Sequence, residues 1–288
     1  MNTTTLLEPL VHLGKLLKKK HRQLRRHIQF GTRSYVKEII LPNTQFKIVI
    51  NPSQNACVDE TIALQGYWEK ELSEQLTKYI TPGCTFLDLG ANIGYHSLFV
   101  ASLLKNTGAI HSFEPIKRLS EQIKNSAVEN NFTNITVHNL ALGDRSYKTE
   151  INLRDENMGG SSLAEYTNLN LVTISATEKI TVVTLDSLLP PTTKVDVIKI
   201  DVEGFEFEAL KGARKLLQAQ HPVIFMEFSP IFYNQDYATK AMEFIEFLKE
   251  LGYAFETLSG RPINLQEWLE SAPNSTQIDV ICKQQMVT

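Results

Sequence analysis

Phe86-Leu87-Asp88-Leu89-Gly90-Ala91-Asn92-Ile93-Gly94 is the stretch on which the fold turns. A short apolar run beginning at Cys84 ends in a glycine-bearing turn, and a helical segment follows from about Gly94 to Leu104. This reads as a buried strand, a tight turn and a helix whose first backbone N–H groups face a ligand, with small residues that let it approach. Outward from it, short apolar runs alternate with helical segments, the pattern of a parallel sheet wrapped by helices. Strands are expected over 84–89, 109–113, 135–139, 195–200, 223–228, 253–257 and 278–282, the last two adjacent and one of them antiparallel. Helices are expected over 94–104, 118–129, 205–218 and 237–251. The fold class is therefore α/β: seven strands, mostly parallel, with helices on both faces. Residues 145–194 interrupt the alternation with Lys148–Leu153, a Gly/Ser-rich turn and Ile180–Leu185, an insertion of about two strands closed by Pro190 and Pro191. Residues 38–83 read as a strand pair and a helix near Lys70–Tyr79, running into Thr81-Pro82-Gly83. The domain expected at 84–288 is thus preceded by a small unit at 38–83 and an arm at 1–37.

The 288 residues are 42% hydrophobic and 21% charged, enough apolar surface for a sizeable core. No run approaches the ~18 apolar residues of a membrane span, and the opening lacks the order of a secretory signal, so a cytoplasmic protein is expected. Cys57, Cys84 and Cys282 are odd in number and lack C-x-x-C spacing, which predicts free, mostly buried thiols and neither a disulfide framework nor a zinc site. The net charge of -3 is unevenly spread, for residues 15–37 hold nine Lys/Arg and no acid, which leaves the remaining 265 residues at -12. In the arm Leu6, Leu10, Leu13, Leu17, Leu24 and Ile28 recur at helical steps, and the basic residues fall mostly off that stripe, Lys20 excepted. Such a helix docks on its own domain or a second subunit, or meets an anionic partner, an acidic peptide or a membrane surface. Nucleic acid is disfavoured, since no aromatic residues interleave with the basic run.

Dinucleotide binding calls for G-x-G-x-x-G after the first strand, whereas here Ala91 and Asn92 separate Gly90 and Gly94, and Asp88 would repel a pyrophosphate. S-adenosyl-L-methionine has no phosphate and carries an ammonium and a sulfonium, which an acidic residue favours. The second strand ends in Phe113-Glu114-Pro115, where Glu114 can accept both ribose hydroxyls. The third leads into Asn139-Leu140-Ala141-Leu142-Gly143-Asp144, a turn placed to cover an adenine ring and offer Asp144 to its amino group. Three carboxylates at three successive strand ends point to a cofactor site.

Asp88-Leu-Gly-Ala-Asn-Ile-Gly94, Phe113-Glu-Pro115, Ala141-Leu-Gly-Asp144, Thr184-Leu-Asp186 and Ile198-Lys-Ile-Asp-Val-Glu-Gly204 together resemble the FkbM family of S-adenosylmethionine-dependent methyltransferases, over about residues 60–230. The resemblance implies a class I (Rossmann-like) methyltransferase fold and cofactor contacts at the Asp88–Gly94 turn and Glu114. It also implies O-methylation of sugars and natural products or, in some members, N-methylation of peptide side chains. The arm lies outside it.

Methyl transfer is an in-line displacement, so a hydroxyl acceptor needs alignment and a proton acceptor. Asp201 and Glu203, two apart after a buried strand, are expected to point to one side, with Asp201 the first catalytic or acceptor-orienting candidate, Glu203 the second and Glu227 the third. The plainer role for Glu203 is to cap the following helix. No His joins these carboxylates, so no metal is expected. Glu69 precedes the first strand and closes the methionine end, with Trp68 beside it as core, while Ser161 in Met158–Ser162 lies over cofactor or acceptor or else in a surface loop. His96 sits in the first helix turn near the cofactor without a catalytic role on position alone. The expected cofactor set is Glu69, Asp88, Gly90, Ala91, Asn92, Gly94, Glu114, Pro115, Asn139, Ala141, Asp144 and Ser161. The acceptor is a small molecule or a peptide; a non-catalytic cofactor-binding partner subunit is the reading from another class.

Overall fold

The computed structural model describes residues 17–18, 20–54, 57–154, 174–190, 192–230, 237–271 and 277–285. A helix α1 over 20–30 precedes a hairpin, β1 (Tyr35–Leu41) and β2 (Thr44–Ile50), and two short helices, α2 (Val58–Gln65) and α3 (Lys70–Leu76). The alternating region follows as β3 (Thr85–Leu89), α4 (Tyr95–Leu104), β4 (Ala109–Phe113), α5 (Lys117–Glu129) and β5 (Ile135–His138). Next come β6 (Ala141–Leu142), β7 (Tyr147–Arg154), β8 (Ile174–Val183) and α6 (Leu185–Leu188), then β9 (Val197–Ile200), α7 (Glu206–Lys211), α8 (Arg214–Gln220) and β10 (Val223–Phe228). The chain closes with α9 (Tyr237–Glu250), β11 (Tyr253–Thr257), α10 (Leu265–Ser271) and β12 (Ile278–Gln284).

The main sheet has seven strands in the order β11-β12-β10-β9-β3-β4-β5, parallel except that β12 runs antiparallel to both its neighbours. This is the expected Rossmann-like class I methyltransferase fold. Side chains alternate across it with period two. Phe86, Val197 and Phe225 pack with the α4 side chains Leu98 and Phe99 on one face. Leu87, Leu89, Ile198, Ile200 and Met226 pack with Leu210, Leu217 and Phe244 on the other. Both faces being covered, β9 is buried at all four positions of Val-Ile-Lys-Ile, and its lysine sits on the α4 face. The chain leaves central β3 for β4 and β5 and resumes on the opposite side with β9 and β10, so the crevice at their carboxyl ends is a topological switch point.

The helix expected over 205–218 is two helices broken at Gly212-Ala213. A Cβ on Gly212 would lie 2.0 Å from the Gly143 carbonyl oxygen, and the Asp186 carboxylate accepts from Lys215 N (2.9 Å) and Leu216 N (3.0 Å), capping α8. The strand expected over 180–185 ends at Val183, where Thr184 turns the chain into α6 by accepting from Ser187 N at 3.2 Å. The insertion is a separate three-stranded sheet, β6-β8-β7. Asp201 and Glu203 do not share an extended segment, because β9 stops at Ile200 and Glu203 is left-handed at φ 54°.

All three cysteines are free, Cys84 and Cys282 buried and Cys57 exposed. Among the described residues no helix is long and apolar enough to cross a membrane. Among the described residues the stripe of α1 does not pack on the body: Leu24 and Ile28 are 57% and 77% exposed, while Arg26 Nε meets Glu60 Oε2 of α2 at 3.0 Å.

Candidate active site

A cavity of about 530 Å³ opens at the carboxyl ends of β3, β4, β9 and β10, within the range of small-molecule sites. The first turn, Gly90 to Asn92, forms one wall. Gly90 has φ 81°, and a Cβ there would sit 1.9 Å from the Asp201 carbonyl oxygen, so its glycine lets the β9 end close against the turn. Gly94, at φ 83°, is a packing glycine: its Cβ would meet Ile123 of α5 at 2.9 Å. The N–H groups of Gly90 and Ala91 both donate to Phe113 O at 3.0 Å, which ties the turn to β4.

Glu114 completes that tie. Its Oε2 accepts from Asn92 N at 2.9 Å and its Oε1 from Ile116 N at 2.8 Å. Burial raises its carboxyl to about 8, against the lowering effect of those two N–H groups and Lys199. Pro115 lines the cavity beside it, and Leu140, Ala141 and Leu142 supply the apolar wall expected for an adenine ring. We predict that Glu114→Ala, which removes a wall carboxylate and orphans two amides, weakens S-adenosylhomocysteine binding at least about tenfold by calorimetry. Unchanged affinity would take Glu114 off the cofactor list.

At the base of the site Lys199 is buried, 5% exposed and in register with Asp88 across the β9–β3 pair. Its Nζ donates to Gly90 O at 3.2 Å and lies 3.5 Å from Asp201 Oδ2 and 3.8 Å from Asp88 Oδ1. Burial disfavours its charge, but Asp201, Asp88 and Glu69 outweigh that and raise its proton affinity. Asp88 is 1% exposed, accepts from Ser97 Oγ at 2.6 Å and lies beneath the cavity wall rather than in it. Its charge therefore reaches the site through Lys199. Burial raises its carboxyl, with Lys199 and Ser97 opposing.

Toward β10 the wall is acidic. Asp201, Glu203 and Glu227 line it together with Glu69. Desolvation, reinforced by Asp201, raises Glu203 to about 8 and Glu227 to about 7, and desolvation raises Glu69 to about 8. Glu227 stands directly across from Asp279 in the β10–β12 register and accepts from Ser229 Oγ at 3.1 Å and Gln277 Nε2 at 2.5 Å. Glu203 does not cap α7, for that position belongs to Phe205 without a side-chain bond. The residue that shapes the β9 turn is Glu206, whose Oε1 accepts from Val202 N at 3.0 Å and Gly204 N at 3.1 Å. Glu206 is fully buried, and burial raises it to about 8.

These buried acids fix the sign of a pH dependence. Glu114 and Glu206 keep their protons to about pH 8 in the folded chain, whereas the unfolded chain releases them near 4.5. Folding thus binds protons between those values, and stability is lost as pH rises through the window. His138 and His96, whose proton affinities burial lowers, act oppositely but only below about pH 6.5. Urea unfolding should therefore give a lower free energy at about pH 8 than at about pH 7, by about 1 kcal/mol per buried acid. A free energy that rises over this interval would refute the assignment.

Of the expected cofactor set, Glu69, Gly90, Ala91, Asn92, Glu114, Pro115 and Ala141 meet in the wall, as do all three acceptor candidates. Asp88, Gly94, Asn139 and Asp144 lie outside it. Asn139 Nδ2 donates to Glu114 O at 3.0 Å and Pro115 O at 2.7 Å, holding the loop, and Asp144 lies 3.9 Å from Arg145. Ser161 falls outside the described residues. Lys199, Arg154 at the end of β7 and Cys57 also line the cavity without having been anticipated. Among the described residues no cluster of His, Cys, Asp or Glu is arranged to hold a metal ion.

The wall suits S-adenosylmethionine. Five carboxyl groups line it with Lys199 and Arg154, a sulfonium and an ammonium beside them favour their ionised form, and His96 Nε2, 3.7 Å from Glu69 Oε2, is a buried polar atom with no hydrogen-bond partner among the described residues. Structurally the chain is similar to the methyltransferase FkbM from Methylobacillus flagellatus KT (18% identity, TM-score 0.45, covering 69% of this chain and 43% of that one). It is also similar to an rRNA methylase from Streptococcus thermophilus (10% identity, TM-score 0.42, 75% and 95%) and to precorrin-6y C5,15-methyltransferase from Geobacter metallireducens GS-15 (15% identity, TM-score 0.41, 75% and 87%). The chain thus spans less than half the length of the first of these. No curated protein matches it. The sequence profile of the Methyltransferase FkbM domain matches residues 88–255, from the first turn to β11 and more than half of the chain, so the chain belongs to the FkbM family of S-adenosylmethionine-dependent methyltransferases.

Proposed function

We propose that this methyltransferase acts on a hydroxyl of a sugar or secondary metabolite. The observation that carries this reading is the acidic wall, in which Asp201, Glu203 and Glu227 line one side of the cavity and two of the three bind a proton near neutral pH. Bound S-adenosylmethionine supplies an electrophilic methyl group on sulfur. The chain's own task is to hold the cofactor at Gly90–Asn92, Glu114 and the Leu140–Leu142 wall, with Glu69 at the methionine end, and to align and deprotonate the acceptor. Asp201, held by Lys199, orients the hydroxyl through a hydrogen bond. Glu227, with a proton affinity near the working pH, takes the hydroxyl proton as the oxygen attacks.

The test is transfer of a radiolabelled methyl group to matched panels of polyhydroxylated sugars, phenolic or alcoholic metabolites, and peptides. Label in the hydroxyl panels supports the reading. Label confined to peptide nitrogen overturns it and leaves the family assignment intact.

A further inference from the structure

We propose that the N-terminal helix seats the protein on an anionic lipid surface. Eight large apolar side chains are exposed among the described residues, and six of them, Leu17, Leu24, Ile28, Tyr35, Val36 and Ile40, fall within residues 17–40. The apolar surface left unburied is therefore gathered in and just after α1. Arg26 fixes how the helix presents it. At 3.6 residues per turn Arg26 lies about 200° round the helix from Leu24 and about 160° from Ile28. Its ion pair with Glu60, at 3.0 Å with both side chains largely covered, turns the Leu24–Ile28 face away from the body. Leu17 falls within about 20° of the same line. Lys18 and Arg25 flank that face and Lys20 lies at its edge, all three exposed.

The occupant must satisfy charge and apolar surface together. Residues 15–37 carry nine basic side chains and no acid. A second copy docking arm to arm would set nine cations against nine. Docked arm to body it would meet a chain of net charge -12, but beyond residue 40 that body exposes only Leu64 and Val128 as large apolar side chains among the described residues, so the stripe would stay uncovered. A nucleic acid answers the charge and not the stripe. A bilayer with anionic headgroups answers both: the leucine and isoleucine side chains enter the acyl boundary while the lysines and arginines stay at headgroup level. The helix is fastened beside the active site, since Glu60 lies two residues beyond Val58, which lines the cavity.

The full-length chain should bind vesicles of phosphatidylcholine with about one-third phosphatidylglycerol at least about tenfold more tightly than phosphatidylcholine alone, and salt should weaken the binding. Replacing Lys18, Lys20 and Arg25 together by Gln should weaken it by about 100-fold, at about fivefold per cation. Leu24→Asp with Ile28→Asp should abolish it, while undiminished S-adenosylhomocysteine binding certifies that the variant is folded. Equal affinity for neutral and anionic vesicles, no binding to either, or full binding by the Leu24/Ile28 variant each overturns the proposal. So does a dimer, seen by sedimentation, that this variant dissociates in the absence of vesicle binding; that result assigns the face to self-association.

Discussion

Lys199→Met lowers the unfolding free energy by about 3–5 kcal/mol at neutral pH, the cost of leaving a buried charge without its partner. The methionine fills a similar volume, so the loss is electrostatic. Asp88 is 1% exposed, its Oδ1 has no hydrogen-bond partner, and Lys199 Nζ at 3.8 Å is its counter-charge. Without the ammonium, burial raises Asp88 further, and the folded chain must carry either a bare carboxylate or a bound proton. The deficit should therefore be largest at alkaline pH and shrink as pH falls, because protonating Asp88 removes the charge that needs compensation. A second consequence lies in the turn. Lys199 donates to Gly90 O, so its loss loosens the backbone that faces the cofactor, and S-adenosylhomocysteine affinity should fall along with stability. Urea unfolding at two pH values and calorimetry check both. An unfolding free energy within about 1 kcal/mol of the parent would mean that solvent reaches Asp88 and that Lys199 is not its partner.

That lysine also marks where sequence reading stopped. Period-two and period-3.6 patterns placed every strand of the main sheet, because the strands are short, mostly apolar runs separated by turn residues and helical segments. The turn at Gly90 and the carboxylate at Glu114 were legible because ligand sites gather at strand ends in such folds. The depth of a polar side chain was not. Asp88 reads as a ligand-facing acid until β9 is laid beside β3 and Lys199 falls opposite it in register. The clue was a lysine inside an otherwise apolar buried run, Val-Ile-Lys-Ile, which demands a buried partner. Glu206 was missed for the same reason, since its role is to accept two amides of a turn that precedes it. The break between α7 and α8 depends on the Gly143 carbonyl and Asp186, both distant in sequence. The stripe of α1 was legible as a helix face, but its orientation depends on the Arg26–Glu60 pair, which no periodicity reveals.

Glu227→Gln carries the largest kinetic effect expected of the acidic wall, a fall in kcat of about 10²–10⁴-fold, the usual contribution of a positioned general base. Glutamine keeps the shape and can still meet Ser229, but it cannot take a proton. Glu227 fits the role better than its neighbours because desolvation, with Asp201 and Asp279 adding to it, puts its carboxyl at about 7. A carboxylate of ordinary acidity would be ionised but a weak base, whereas one near 7 is both ionised in part and strong enough to draw off a hydroxyl proton. The parent enzyme should then lose turnover as pH falls through about 7, and Glu227→Gln should abolish that limb while binding S-adenosylhomocysteine as before. Asp201→Asn is the instructive contrast. If Asp201 orients the acceptor, its loss raises KM and lowers kcat while the acid limb near pH 7 survives, because the base is still present. A limb that vanishes in Asp201→Asn and survives in Glu227→Gln would exchange the two roles, and the methyl acceptor would then lie against the β9 turn instead of β10.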